Sequence, residues 1–138
     1  MKVLFDTNVI LDAMLVRNPF VFQATQLIDD VENGLLNGFL CATTLTTIYY
    51  VAQKDFGRTK AVDEIQKLLS LFQITDVNRK VLELALETKF ADYEDGVIHA
   101  SALCSGMDAI VTRNLKDFTQ STIRVYSPDE LLHLIHHI

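Results

Sequence analysis

An α/β fold is predicted for these 138 residues: a three-layer sandwich whose central, mainly parallel sheet of about five strands is flanked by helices. Three observations predict it. Short apolar runs alternate with longer helical segments along the whole chain, the order of βαβ units rather than of hairpins. Residues 79–90 place Val81, Leu82, Leu84, Ala85, Leu86 and Phe90 at helical spacing, with Arg79, Lys80, Glu83, Glu87 and Lys89 on the other face. No repeat, low-complexity tract or Pro/Gly/Ser linker divides the sequence, so 1–138 reads as one domain.

The elements follow in order. Strands are expected at about 2–6, 39–42, 72–75, 109–112 and 123–125, and helices at about 8–15, 19–36, 44–56, 58–71, 77–89, 94–106 and 128–136. Pro19 after Asn18, and Pro128 between Ser127 and Asp129-Glu130, suit first helical turns. Gly34, Gly38, Gly57 and Gly106 punctuate helix ends. Residues 43–51 are rich in Thr and Tyr, which also favour strands.

The apolar share of 49% supports a folded globule, and no uninterrupted apolar run is long enough to span a bilayer. The first Asp at position 6 leaves no room for a signal-peptide core, so the cytoplasm is the expected location. Cys41 and Cys104 have no metal-ligand or redox spacing and are expected to be reduced thiols. A net charge of −6 argues against broad affinity for nucleic acid, although carboxylates gathered for a cation would themselves make the count negative.

The chemistry-bearing residues lie where strands end. Lys2-Val3-Leu4-Phe5 stops on Asp6, followed by Thr7 and Asn8. In an open parallel sheet functional groups collect beyond the carboxyl ends of the strands, so Asp6 is placed to meet later acids there. Asp92, Glu94 and Asp95 open a helix, and Asp117 follows the strand ending at Thr112. The set reads as a metal site for phosphodiester hydrolysis. Taken singly, each piece has a structural reading. Asp6 can cap the next helix, Asp92 and Asp95 can form a capping box, and Arg113-Asn114-Leu115-Lys116-Asp117 can be a solvated turn.

Together, Val3-Leu4-Phe5-Asp6-Thr7-Asn8, Asp92-Tyr93-Glu94-Asp95 with Ala100 and Ala102, Val111-Thr112-Arg113-Asn114 and Asp117-Phe118 resemble the PIN-domain family, which includes VapC-like toxin ribonucleases. The resemblance covers the whole chain. It implies an RNA-cleaving nuclease dependent on Mg²⁺ or Mn²⁺, with Asp6, Asp95 and Asp117 as metal ligands and Asp92 as a peripheral ligand or water-orienting base. It gives Thr7, Asn8, Thr112 and Asn114 supporting roles around the acids. Arg113 and Lys116 are the candidates for gripping the RNA backbone, an antitoxin protein is the implied partner, and a homodimer is compatible with the resemblance. One departure stands out: no acid occurs in 42–50, where the family places one, and Thr47 falls at that position while Asn114 is neutral. Reduced activity, or a binding domain that has lost cleavage, is the alternative this raises.

A phosphate-accepting receiver module is a second alternative, with Asp76, Thr112 and Lys116 as phosphoacceptor, hydroxyl and lysine. His133, His136 and His137 are expected to end an amphipathic helix rather than bind metal, since His suits the dipole there. His99 and Cys104, five apart, do not share a helical face. Tyr49 and Tyr50 are readable as base-stacking residues or as half-core, half-surface packing.

Overall fold

The computed structural model describes residues 1–137; Ile138, the last residue of the expected 1–138 domain, lies outside the described residues. Its elements run β1 (Lys2–Phe5), α1 (Thr7–Met14), α2 (Val21–Glu32), β2 (Asn37–Cys41), α3 (Ala42–Phe56), α4 (Arg58–Leu71), β3 (Gln73–Thr75), α5 (Arg79–Glu87), α6 (Tyr93–Cys104), β4 (Ala109–Val111), a 3₁₀ turn (Leu115–Phe118), β5 (Arg124–Tyr126) and α7 (Pro128–His136). The five strands form one all-parallel sheet in the order β3-β2-β1-β4-β5. The expected α/β sandwich is the observed fold.

β1 sits at the centre because its residues can be buried on both faces: Val3, Leu4 and Phe5 are fully inaccessible. Strand alternation then sorts the core. Val3, Phe5, Ala109 and Val111 pack with Val9 and Ile10 of α1, Leu27 of α2, Ile48 of α3, Leu68 of α4 and Leu131 of α7. Leu4, Phe39, Cys41 and Ile110 face Ile98 and Ala102 of α6 on the other side. A third cluster, Val81, Ala85, Val97 and Ala100, seals α5 against α6.

α6 is the helix pressed deepest, with Gly96 through Ala102 all buried. Small residues allow this approach: a Cβ on Gly96 would stand 3.2 Å from Thr88 Oγ1 and 3.4 Å from the Ala85 carbonyl. The Thr/Tyr-rich stretch is helix α3 because Thr44, Ile48 and Ala52 recur every four residues on the buried face, which outweighs local β preference. Thr46 and Thr47 donate their hydroxyls to the Thr43 carbonyl one turn back.

Some boundaries move. α2 stops at Glu32 rather than 36, because the chain turns at Gly34 with φ +78° and the Leu35 N–H returns to the Asp30 carbonyl at 2.9 Å. β2 starts at Asn37, two residues early, since pairing with Lys2 and Val3 of β1 extends the ladder through Gly38. α7 spans the expected 128–136, opened by a capping box between Ser127 and Glu130. His136 pairs with the buried Asp30 at 2.9 Å, tying α7 to α2 in keeping with its structural reading. Cys41 and Cys104 are free thiols. Among the described residues no helix is long and apolar enough to cross a membrane.

Gly38 is required by packing. A Cβ there would lie 2.7 Å from Val31 Cγ2 and 2.8 Å from the Phe72 ring. That ring is itself held edge-on to Phe5, with centroids 5.1 Å apart. Gly38→Ala should therefore cost about 1–3 kcal/mol through overpacking, read as a lower urea midpoint with an unchanged m-value.

Candidate active site at the carboxyl ends of the strands

Asp6 leaves β1 in extended conformation and caps α1, and its carboxylate is buried and held at both oxygens. Oδ1 accepts the Thr7 N–H at 2.8 Å, and Oδ2 accepts the Thr112 hydroxyl at 2.7 Å. The Thr112 hydroxyl in turn accepts the Asn114 N–H at 3.1 Å. The Asp6 N–H completes the ladder to the Val111 carbonyl at 2.9 Å. Thr7 joins its hydroxyl to that of Thr44 on α3 at 2.8 Å, and Asn8 accepts the Arg113 N–H at 3.4 Å. The four residues expected to support the acids thus cross-link the ends of β1 and β4 and the start of α3.

The first turn of α6 delivers the second group. Asp92 is the N-cap, accepting the Glu94 N–H at 2.8 Å, and no capping box closes with Asp95. Asp95 is left half-buried, its carboxylate without a hydrogen bond among the described residues. A depression at the protein surface gathers Asp92 and Asp95 with Lys89, Lys116, Asp117 and Phe90. The turn carrying Lys116 and Asp117 is anchored from behind by His99 of α6, whose Nε2 accepts the Thr122 N–H at 3.2 Å. His99 stacks near Phe90, and burial lowers its pKa.

The carboxylates feel one another. Burial raises the pKa of Asp6, against the lowering effect of the Thr112 and Thr7 hydrogen bonds, and the charges of Glu94 and Asp117 raise it further. Asp95 is pushed from 3.8 to about 7, first by burial and then by Asp6, Asp92, Asp117 and Glu94. The receiver arrangement does not form. Asp76 follows β3 at the sheet edge and Thr112 follows β4, with β2 and β1 between them. Three strand spacings separate the two by roughly 14 Å.

Arg113, expected on the RNA, is engaged elsewhere. Its Nε and Nη2 donate to Asp12 of α1 at 2.8 and 3.1 Å, and its guanidinium lies 4.3 Å from the Phe20 ring centroid. Asp12 also draws Arg17 to 3.6 Å. The fork pins the β4 exit to α1 and leaves Lys116 and Lys89, which make no ion pair among the described residues, as the cations lining the depression with the acids. Sequence reasoning missed Asp12, and it included Glu94 among the acids of the set without giving it a role of its own. An acid at position 12, inside the apolar Val9-Ile10-Leu11 and Ala13-Met14 context, was the available sign of a buried partner for an arginine.

The donor set is entirely oxygen and carries an excess of negative charge, which suits a hard divalent cation. Among the described residues no three Asp, Glu, His or Cys side chains converge closely enough to enclose an ion. Asp92 and Asp117 are exposed and Asp95 is half-exposed, so side-chain rotation is available to them. The residues fit such a cation by chemistry and by charge.

Two outcomes follow from these electrostatics. In metal-free buffer the folded state holds a proton on Asp95 that the unfolded chain releases, so stability falls as pH rises from about 4 to about 7. Urea midpoints at pH 5 and pH 8 should differ in that direction, and Asp95→Asn should flatten the difference. Removing one partner of a buried ion pair costs roughly 3–5 kcal/mol. With Arg113 one-quarter exposed and Asp12 2% exposed, Asp12→Ala should fall at the lower end. Lys116→Ala should leave the midpoint unchanged.

A family model described as PIN domain matches residues 2–116. Ribonuclease VapC1 of Aquifex aeolicus (strain VF5) is 29% identical over 137 residues, covering 94% of this chain and 92% of the relative. Of the solved structures, VapBC2 from Rickettsia felis bound to a DNA fragment from their promoter has a TM-score of 0.72 at 16% identity, over 92% of this chain and 98% of that one, a likeness of fold. A toxin–antitoxin complex from Klebsiella pneumoniae has a TM-score of 0.69 at 25% identity, over 91% and 97%. The matched stretch takes in Asp6, the Asp92–Asp95 turn and Thr112, the same strand ends that the geometry brings together, and the chain belongs to the PIN domain family, as a homologue of VapC-like toxin ribonucleases.

Proposed function

We propose that this chain, as one PIN-like nuclease domain over 1–138, is a metal-dependent ribonuclease that cleaves RNA phosphodiester bonds, and that it is the toxin of a toxin–antitoxin pair. The observation that carries the proposal is the gathering of Asp6, Asp92, Asp95 and Asp117 at the strand ends, where burial first and then the neighbouring carboxylates raise the pKa of Asp95 to about 7. A structural cap or turn has no use for that arrangement. Its likeness to Ribonuclease VapC1 supports RNA as the substrate class.

Asp6, Asp95 and Asp117 would hold Mg²⁺ or Mn²⁺. A cation there supplies Lewis acidity to the scissile phosphate and to an attacking water. Asp6 is the fixed member, because Thr7 and Thr112 set the plane of its carboxylate. Asp92, at the rim, orients water and accepts its proton. Lys116 meets the phosphate backbone in place of Arg113, whose fork is committed to Asp12.

An antitoxin would act by covering this acidic depression, and a homodimer and a cytoplasmic location belong to the same reading. A second reading, a domain that binds but cleaves weakly, is favoured by Thr47, which offers α3's flank a hydroxyl spent on the Thr43 carbonyl where an acid is expected.

Purified protein incubated with structured and unstructured RNAs should cleave with Mg²⁺ or Mn²⁺ and stop with EDTA. Asp6→Asn should abolish cleavage while circular dichroism and the urea midpoint stay close to wild type, since Asn still caps α1. Cleavage that survives both EDTA and Asp6→Asn would sink the nuclease reading. Binding without cleavage in every metal would favour the weakened domain.

A further inference from the structure

The edge of the sheet that carries the acids continues past them. Phe5 pairs with Val111 and Val111 with Tyr126, so Asp6, Thr112 and Ser127 leave their strands side by side. The Thr112 N–H bonds the Tyr126 carbonyl at 2.9 Å and keeps that level. Two strand spacings put Ser127 roughly 10 Å from Asp6, within reach of the nucleotides that flank a phosphate held there. Beside Ser127 a pocket of about 290 Å³ opens between the chain joining α1 to α2 and the start of α7. Ligand pockets begin at roughly 300 Å³, so this one suits a single ring system rather than a larger molecule.

Pro19, Phe20 and Pro128 give the pocket apolar walls. The Arg113 guanidinium lies over the Phe20 ring, 4.3 Å from its centroid, with Nε and Nη2 committed to Asp12. Arg113 therefore offers the pocket a planar group whose charge is already matched. Its backbone N–H, bonded to Asn8 Oδ1 at 3.4 Å, ties the same residue to the acid site. The other charged side chain is Asp129, which is exposed and disfavours a phosphate. The remaining polar group is the Gln23 carboxamide, whose Oε1 is out of contact with solvent and receives no hydrogen bond. A buried acceptor without a donor is uncommon. The terminal amide torsion is soft, so the group can turn and set its acceptor and donors against the polar edge of a ligand.

We propose that this pocket receives a nucleobase of the RNA strand, one flanking the scissile phosphate, with Gln23 reading its edge and Arg113, Phe20 and the two prolines packing against it. Single-stranded RNA is recognised in this way, by stacking splayed bases and hydrogen-bonding their edges. The proposal rests on the ribonuclease reading and gives that site a means of choosing where it cuts. A phenylalanine or leucine side chain from a protein partner would fill the same walls but leave Gln23 Oε1 unpaired, which favours the base.

The test follows the Gln23 side-chain amide and Arg113 Nε–H resonances of the isotope-labelled full chain in metal-free buffer. The probes are adenosine, cytidine, guanosine and uridine, with ribose phosphate and N-acetylphenylalanine amide as controls. At least one nucleoside should shift both resonances saturably, and ribose phosphate should shift neither. In Gln23→Leu the Arg113 response to that nucleoside should need about ten-fold more ligand, the scale of one lost base-edge contact. The urea midpoint of Gln23→Leu should stay at or above the wild-type value, because the variant removes an unpaired buried acceptor. With Mn²⁺, wild type should cut a random RNA pool with a base preference beside the cleaved bond, and Gln23→Leu should lose it. Silence toward every nucleoside, or an equal response to ribose phosphate, would overturn the base pocket even where the wild type cleaves RNA. A response to N-acetylphenylalanine amide alone would overturn it in favour of a protein-docking pocket. Nucleoside binding by a chain that cleaves no RNA with any metal would sink the ribonuclease reading instead, and with it the placement beside a scissile phosphate.

Discussion

The parallel pairing of β1 with β4 is the constraint on which the rest depends. It sets Phe5 opposite Val111, so the next residues, Asp6 and Thr112, emerge side by side from the middle of the sheet. The Asp6 N–H bonds the Val111 carbonyl and the Thr112 hydroxyl bonds the Asp6 carboxylate, so one ladder rung becomes the base of the site. A slip of one residue would turn Val3, Leu4 and Phe5 onto the wrong faces and carry Asp6 away from Thr112. Core and site are specified by the same register.

Around that fixed point the other acids arrive on elements of different stiffness. α6 is buried along seven consecutive residues, and Asp95 stands one residue before that stretch. Its position is therefore set by the packing of Gly96, Val97 and Ile98. Asp117 arrives on a short 3₁₀ turn secured by Phe118 in the core and by the backbone bond from Thr122 to His99. A rigid centre with more adjustable flanks suits a group of like-charged carboxylates, which repel one another when brought together.

Most of the architecture was legible in the sequence, because the apolar runs and helical spacings are local signals. The strand ends that matter, Asp6 and Thr112, could be placed from runs of four or five residues. The boundaries that moved did so for tertiary reasons: Asn37 and Gly38 join β2 because β1 lies beside them, and Ala42 and Thr43 are helical because Thr44, Ile48 and Ala52 need one buried face. The partner of Arg113 was invisible for the same reason, since Asp12 lies about a hundred positions away in sequence.

The charge balance explains why this arrangement tolerates so few cations nearby. The chain carries −6 overall, which disfavours broad, non-specific affinity for nucleic acid. Asp12 occupies the Arg113 fork and compensates most of its charge there. Lys116 and Lys89 line the depression with Asp92, Asp95 and Asp117 yet lie beyond ion-pair distance of them. The half-buried arginine, forked onto Asp12, ties β4 to α1, while the exposed lysines stand apart and leave the acidic depression its excess of negative charge.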